Sequence, residues 1–258
     1  MHSIKGFLID LDGVLYVENK VIEGAVDAVN FLQAHPFECR FLTNTTMLSR
    51  KALLKKLTHF GFTARELDIF NTCVVAAHWL KLQNVKRLHL LLPKEAQADF
   101  SEFEITTENP EAVVVGDLGR GFNFDVLNQA FRLIKNGARL IGLQKNRFWQ
   151  TLEGLSLDVG AFVAALEYAS ETEATIIGKP NRAYFEMAVQ DMGVPEQEIV
   201  MIGDDIFTDI KGANAVGLKS LLVKTGKYQF DSIETVDFKP DWILNSIADL
   251  PQWLAKRI

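Results

Sequence analysis

Acidic side chains recur in this chain directly behind short apolar runs. Asp10-Leu11-Asp12-Gly13 follows residues 4–9, and Gly203-Asp204-Asp205, with Asp209 close behind, follows residues 199–202. Two other apolar runs end in polar groups of a different kind: Thr43-Asn44 after residues 40–42, and Lys179-Pro180 after residues 174–177. Brought to one place, Asp10, Asp12, Asp204 and Asp205 supply four carboxylates, to which the other two runs add a hydroxyl, an amide and an ammonium. Carboxylates crowded together cannot all stay ionised without a cation. Hard oxygen ligands that need charge neutralisation point to Mg²⁺. A bound cation beside Lys, Thr and Asn suits a phosphoryl group, whose oxygens need both charge compensation and hydrogen-bond donors. No His, Ser or Cys is placed as a rival nucleophile, which leaves a carboxylate for that task. Asp12 stands within reach of a leaving oxygen, where it would donate a proton and later take one from water.

Each of the four runs is almost continuously apolar rather than alternating, as expected of parallel strands covered on both faces. Helical spacing over 23–34, 49–60 and 181–192 separates them, with Ser49 as an N-cap and Gly61 and Gly193 as stops. This alternation predicts an α/β fold with right-handed crossovers. Ligands bind such sheets beyond the carboxyl ends of the strands. If the four strands are neighbours, the polar groups converge.

Residues 80–172 carry a pattern of their own: strands over 87–92, 112–116 and 139–143, and helices over 124–136 and 160–170. This region reads as a smaller α/β module inserted into the core, so that the domains are 1–79, 80–172 and 173–258. The tail adds strands at 220–223 and 241–244 and a helix over 247–258.

The chain has 258 residues, with 27 Lys+Arg against 33 Asp+Glu and a formal charge of −6. Apolar residues at 48% and charged residues at 23% exclude disordered and fibrous classes. No basic surplus exists to neutralise a nucleic acid. No apolar run reaches the roughly 18–20 residues of a membrane helix. Two cysteines, Cys39 and Cys73, suit a reducing compartment better than a disulfide scaffold, so a cytoplasmic location is expected. The five histidines show no metal-ligand spacing. Gly119-Arg120-Gly121 reads as a loop and Gly226-Lys227 as a turn. Phe122, Phe124, Phe148 and Trp149 read as core of the inserted module or a dimer face.

Taken in order, Asp10-Leu11-Asp12-Gly13-Val14-Leu15, Thr43-Asn44, Lys179-Pro180 and Gly203-Asp204-Asp205-Ile206-Phe207-Thr208-Asp209 resemble the four motifs of the haloacid dehalogenase superfamily of phosphohydrolases. The resemblance extends along the whole chain to the NagD-like, nitrophenylphosphatase branch. Within it the chain is most similar to the group of phospholysine phosphohistidine inorganic pyrophosphate phosphatase and its hydrolase-domain relatives. Segments 128–132, 165–169 and 223–228 share in that similarity outside the motifs. The resemblance implies a Rossmann-like core with an inserted type-C2 cap that selects the substrate. It implies Asp10 as nucleophile and Mg²⁺ ligand, and Asp12 as general acid/base and a ligand through its carbonyl. Thr43, Asn44 and Lys179 would hold the phosphate, Asp204 would complete the metal site, and Asp205 and Asp209 would support it. A homodimer formed through the cap is implied as well.

One departure stands out. Many NagD-like caps carry Thr-Asn-x-Asp where this chain has Gly142-Leu143-Gln144-Lys145-Asn146-Arg147, which leaves nucleotide or sugar-phosphate specificity unassigned. Lys145 and Arg147 are candidates to meet an anionic substrate. The expected function is Mg²⁺-dependent hydrolysis of a small phosphorylated substrate, phosphoramides and pyrophosphate included, through an aspartyl-phosphate. The alternatives are phosphoryl transfer to a second acceptor, or a phospho-accepting or non-catalytic binding module. Receiver modules use similar groups, but their phosphorylated Asp stands alone on a middle strand and they lack a counterpart of Asp12.

Overall fold

The computed structural model describes residues 3–151, 154–228 and 233–257, with the side chains of 149–151 and 155 left aside. His2, Ile258 and the Trp149 side chain therefore lie outside the described residues. The chain divides into two compact units. The first comprises Met1–Thr43, Leu53–Phe70 and Lys179–Ile258, and the second Asn44–Ala52 and Asn71–Gly178.

The first unit is built on a six-stranded sheet. Its strands are β1 (Gly6–Asp10), β4 (Glu38–Thr43), β5 (Ile69–Asn71), β13 (Ile199–Gly203), β14 (Lys219–Val223) and β15 (Trp242–Leu244), in spatial order β15-β14-β13-β1-β4-β5. The pairings from β15 through to β4 are parallel. The chain leaves β1 toward β4 on one side and returns through β13 on the other. Strand order thus reverses at β1, the place where open sheets of this kind form a crevice. Every residue of β1 and β13 is buried, so their apolar runs read as strands covered on both faces rather than as alternating ones. Helices α1 (Ala25–Gln33), α2 (Arg50–His59), α7 (Arg182–Met192), α8 (Lys211–Ala215) and α9 (Leu250–Leu254) accompany the strands. A small hairpin of β2 (Tyr16–Val17) and β3 (Lys20–Val21) follows β1.

Local chemistry sets the helix ends. The Ser49 hydroxyl accepts the Ala52 N–H at 3.3 Å at the start of α2, and Asn181 accepts the Ala183 N–H at 2.9 Å at the start of α7. Gly61 and Gly193 stop the two helices with positive φ. The tail helix is shorter than expected. Ser246 caps a single 3₁₀ turn over Ile247–Asp249, and α9 then starts afresh with a proline in its first turn and ends at Leu254.

The second unit has its own five-stranded sheet, with β6 (Arg87–Leu91), β7 (Glu104–Ile105), β8 (Ala112–Val115), β9 (Arg139–Gly142) and β12 (Thr175–Ile176) in the order β12-β9-β8-β6-β7. All four pairings are parallel. Helices α3 (Thr72–Leu82), α4 (Lys94–Gln97), α5 (Phe124–Lys135) and α6 (Val159–Ser170) complete it, with an antiparallel hairpin of β10 (Phe148–Thr151) and β11 (Gly154–Leu157). Its core gathers Val113, Val115, Ile134, Leu140, Val159 and Val163. The Phe122 and Phe162 rings stack at 3.7 Å, while Phe124 and Phe148 are exposed.

One expectation about the sheet fails. The apolar run at 174–177 forms β12, which pairs with β9 in the second sheet rather than beside β13 in the first. Only three motif-bearing strands, β4, β1 and β13, are neighbours. Thr175 is exposed and Ile176 only partly buried, which marks an edge strand. A four-residue apolar run does not encode which sheet it joins.

Leu8, at 0% exposure in the central strand, tests this core. Leu8→Ala should cost about 2–5 kcal/mol, read as a lower denaturant midpoint. A loss below about 1 kcal/mol would show that β1 is not the packed centre.

Candidate active site

β1 delivers Asp10 at its carboxyl end, and β13 delivers Asp204 directly after Gly203. Beyond Asp204 the chain turns into a short π-helical segment over Ile206–Ile210, capped by Asp205, whose side chain accepts the Phe207 and Thr208 N–H groups at 2.8 and 3.3 Å. That wide turn carries Asp209 back toward the sheet, where its Oδ2 accepts the Asp205 N–H at 3.2 Å. Asp10, Asp204 and Asp209 consequently offer carboxylate oxygens all within 4.8 Å of one another, and all three residues are buried. Such a cluster of hard oxygen donors could hold a metal ion.

Lys179 lies among these acids although β12 belongs to the other sheet. Its Nζ is 2.5 Å from Asp10 Oδ1 and 2.7 Å from Asp209 Oδ1, and the residue is 4% exposed. Burial opposes its charge, but the two carboxylates outweigh that effect and hold the ammonium well above the ordinary lysine range. Burial pushes the carboxyl groups of Asp10 and Asp204 upward, and Asp209 up to about 7, with Lys179 drawing Asp10 and Asp209 back down. These three buried acids, with Asp12 and Asp205 acting on them as well, outnumber the ammonium groups of Lys179 and Lys227, and this is the electrostatic condition that a divalent cation relieves.

Asp12, close enough to Asp10 to push its carboxyl upward, turns to other partners. Its Oδ2 accepts the Thr43 hydroxyl at 3.4 Å, and the buried Tyr16 phenol faces the same carboxylate. The Lys56 ammonium stands 4.1 Å from the centre of the Tyr16 ring, a cation–π contact that holds the ring in place. Thr43 itself is 1% exposed at the end of β4. Of the predicted residues, then, the structure draws Asp10, Lys179, Asp204 and Asp209 together and sets Asp12 with Thr43. Asp205 caps the turn that carries Asp209 and donates its own N–H to Asp209 Oδ2. Asn44 is the first residue of the second unit. In that unit Lys145 pairs with Glu167 at 2.7 Å and the Arg147 guanidinium lies 5.9 Å from the Phe148 ring.

Sequence reasoning read Gly226-Lys227 as a turn and gave the segment after β14 no part in the site. Thr225 Oγ1 donates to the Gly13 carbonyl at 2.5 Å, and the Lys227 N–H donates to Asp204 Oδ2 at 2.6 Å. A Cβ at Gly226 or Gly13, both at positive φ, would overlap the Asp204 carboxylate. The turn therefore clamps Asp204 from one side and the loop after Asp10 from the other. Its only sequence signal was a Thr-Gly pair at a strand end, which any turn can carry.

With this geometry in view, the comparisons agree. A family described as haloacid dehalogenase-like hydrolase matches residues 7–106, and a second, related hydrolase description matches residues 176–250. The human haloacid dehalogenase-like hydrolase domain-containing protein 2 is 40% identical over 238 residues, covering 92% of this chain and 91% of that protein. The chain belongs to the haloacid dehalogenase-like hydrolase family. The bovine phospholysine phosphohistidine inorganic pyrophosphate phosphatase is 36% identical over 253 residues, covering 96% of this chain and 93% of that one. Among solved structures, the 4-nitrophenylphosphatase of Thermotoga maritima superposes with a TM-score of 0.90 at 26% identity, covering 96% and 97% of the two chains. NagD from Escherichia coli K-12 superposes with a TM-score of 0.88 at 26% identity, covering 96% and 98%.

The excess charge of this family member's cluster has a measurable consequence. Asp204 carries a folded-state pKa above its unfolded value, so above about pH 3.9 the folded state is penalised relative to the unfolded one. In chelator-treated protein Asp204→Asn should raise the melting temperature, by about 2–4 °C per kcal/mol relieved. The gain should grow as the pH rises above about 3.9, where the unfolded carboxyl ionises. A melting temperature equal to or below that of the parent well above that pH would refute the charge excess.

Proposed function

We propose that this hydrolase is a Mg²⁺-dependent phosphatase that acts on a small phosphorylated substrate through an aspartyl-phosphate on Asp10. The observation that carries this reading is the buried Asp10–Lys179–Asp209 bridge with Asp204 alongside. Relatives and structural neighbours named as phosphatases support it.

The donor set fits a hard cation: oxygen ligands, buried, with more negative charge than Lys179 balances. Asp10, Asp204 and the Asp12 carbonyl would hold Mg²⁺. Asp209 is better suited to support, because both its oxygens are already committed, one to Lys179 and one to the Asp205 N–H. The bound ion supplies compensation for charge on the phosphoryl oxygens.

Lys179 grips one oxygen of Asp10 and so fixes the rotamer from which the other attacks phosphorus. The bond from phosphorus to the leaving oxygen breaks as Asp12 delivers its proton there. Asp12 then takes a proton from water, and the resulting nucleophile attacks the aspartyl-phosphate. The bond from phosphorus to Asp10 breaks, inorganic phosphate leaves, and Asp10 and Asp12 return to their starting states. Thr43, whose hydroxyl donates to Asp12 in the resting site, turns that one donor to the transferring group when substrate binds, and Asn44 takes a phosphate-binding part by its place in the motif. Residues 80–172 form the cap that selects the substrate, Lys145, Asn146 and Arg147 included. The enzyme works as a cytoplasmic homodimer. Among the described residues no helix is long and apolar enough to cross a membrane.

Hydrolysis of p-nitrophenyl phosphate tests the chemistry. Asp10→Asn should abolish turnover at an unchanged circular dichroism spectrum, and EDTA should do the same reversibly. Asp12→Asn should lower kcat by about 10²–10⁴-fold. Turnover by Asp10→Asn within about tenfold of the parent would remove Asp10 as nucleophile. A phosphate-release panel of sugar phosphates, nucleotides, pyrophosphate and phospho-amino acids then defines the substrate.

A further inference from the structure

α7 starts just after Lys179, and its first turn carries Tyr184, which is 0% exposed. The side chain points at the carboxyl ends of two neighbouring strands, β4 and β5. Its hydroxyl accepts the Thr43 N–H at 3.1 Å and reaches the Thr43 carbonyl at 3.0 Å and the Phe70 carbonyl. Both main-chain polar groups of Thr43 thus meet a single side-chain oxygen. A buried N–H or C=O must find some partner, and at an internal strand end it would ordinarily be the next residue of the ladder. Here the partner comes from the helix that follows Lys179.

We propose that Tyr184 is a positioning residue: its hydroxyl fixes the Thr43 backbone and thereby the direction of the Thr43 Oγ1, which donates to Asp12. The inference rests on the phosphatase reading above and adds to it a residue that touches neither substrate nor metal. The phenol carries one proton and two carbonyls compete for it, so it accepts from Thr43 N–H while donating to either strand. That geometry ties the end of β4 to the end of β5 and to α7 in one step. Thr43 is β-branched and therefore stiff at χ1, so a fixed backbone carries over into a fixed direction for its Oγ1. The ring alone would fill the same volume, so packing does not require the hydroxyl. A small shift of a group that contacts the transferring phosphoryl can cost about 10²-fold in rate.

A double-mutant cycle separates positioning from mere stability. Tyr184→Phe should lower kcat on p-nitrophenyl phosphate by about 10- to 100-fold with KM changed less than about threefold. Combined with Thr43→Ala, the same substitution should change kcat by less than about twofold, because the group it positions is gone. Ser220→Ala serves as a control: this buried hydroxyl in β14 donates to Asn214 at 3.1 Å, so its loss should lower the melting temperature and leave kcat unchanged. Should Tyr184→Phe fail to fold, the cycle is run in sucrose, which favours the compact state. Parental kcat in Tyr184→Phe, or losses that simply multiply in the double variant, would overturn the proposal. The Asp10→Asn assay stands apart from this result: turnover there would sink the phosphatase mechanism whatever Tyr184 does.

Discussion

An ammonium buried between two carboxylates, with a third carboxylate beside them, is costly to assemble and governs much of the first unit. The cost of removing such charges from water is offset only by close, well-directed pairing. Lys179 at 2.5 and 2.7 Å from Asp10 and Asp209 provides that pairing, and the surrounding backbone is arranged to keep it. The π-helical turn brings Asp209 into register, the Asp205 cap holds that turn, and the Thr225–Lys227 segment secures Asp204. Remove the pairing and the local design has no evident purpose.

The same restraint explains how the sheet produces a site. β1 and β13 are adjacent and buried throughout, so their carboxyl ends present Asp10 and Asp204 from rigid backbone. Rigid elements position groups more closely than loops do. Where a loop must contribute, as after β14, glycines at positive φ let the backbone approach Asp204 without a side chain in the way. At the end of β4 the Tyr184 hydroxyl adds its own hold on the Thr43 backbone. The buried cluster of this family member therefore draws on residues from the whole length of the first unit, few of which stand near one another in sequence.

Much of this was legible beforehand. Short apolar runs ending in Asp, Thr-Asn or Asp-Asp are strong signals because period and polarity change together. The helix cap at Ser49 and the stops at Gly61 and Gly193 follow from local backbone chemistry. Other features left no mark. The run at 174–177 has the composition of a core strand yet pairs in the second sheet, since strand pairing is a long-range choice. Asp205 and Asp209 are equally acidic in sequence, and only the π turn decides that one caps while the other faces Lys179. Tyr184 lies within the helix expected over 181–192, where local spacing says nothing of the strand ends its hydroxyl meets.

The sequence by itself determined the chemical inventory, the α/β class and the order of the motifs, because residue type and hydrophobic period are local properties. The tertiary structure alone decided which strands are neighbours, which carboxylates share the buried cluster, and which hydroxyl holds Thr43. Those are matters of distance between residues far apart in the chain, such as Lys179 and Asp10 or Tyr184 and Thr43. Hydrogen bonds and ion pairs fall off over a few ångströms, so their partners exist only once the fold has brought them into reach.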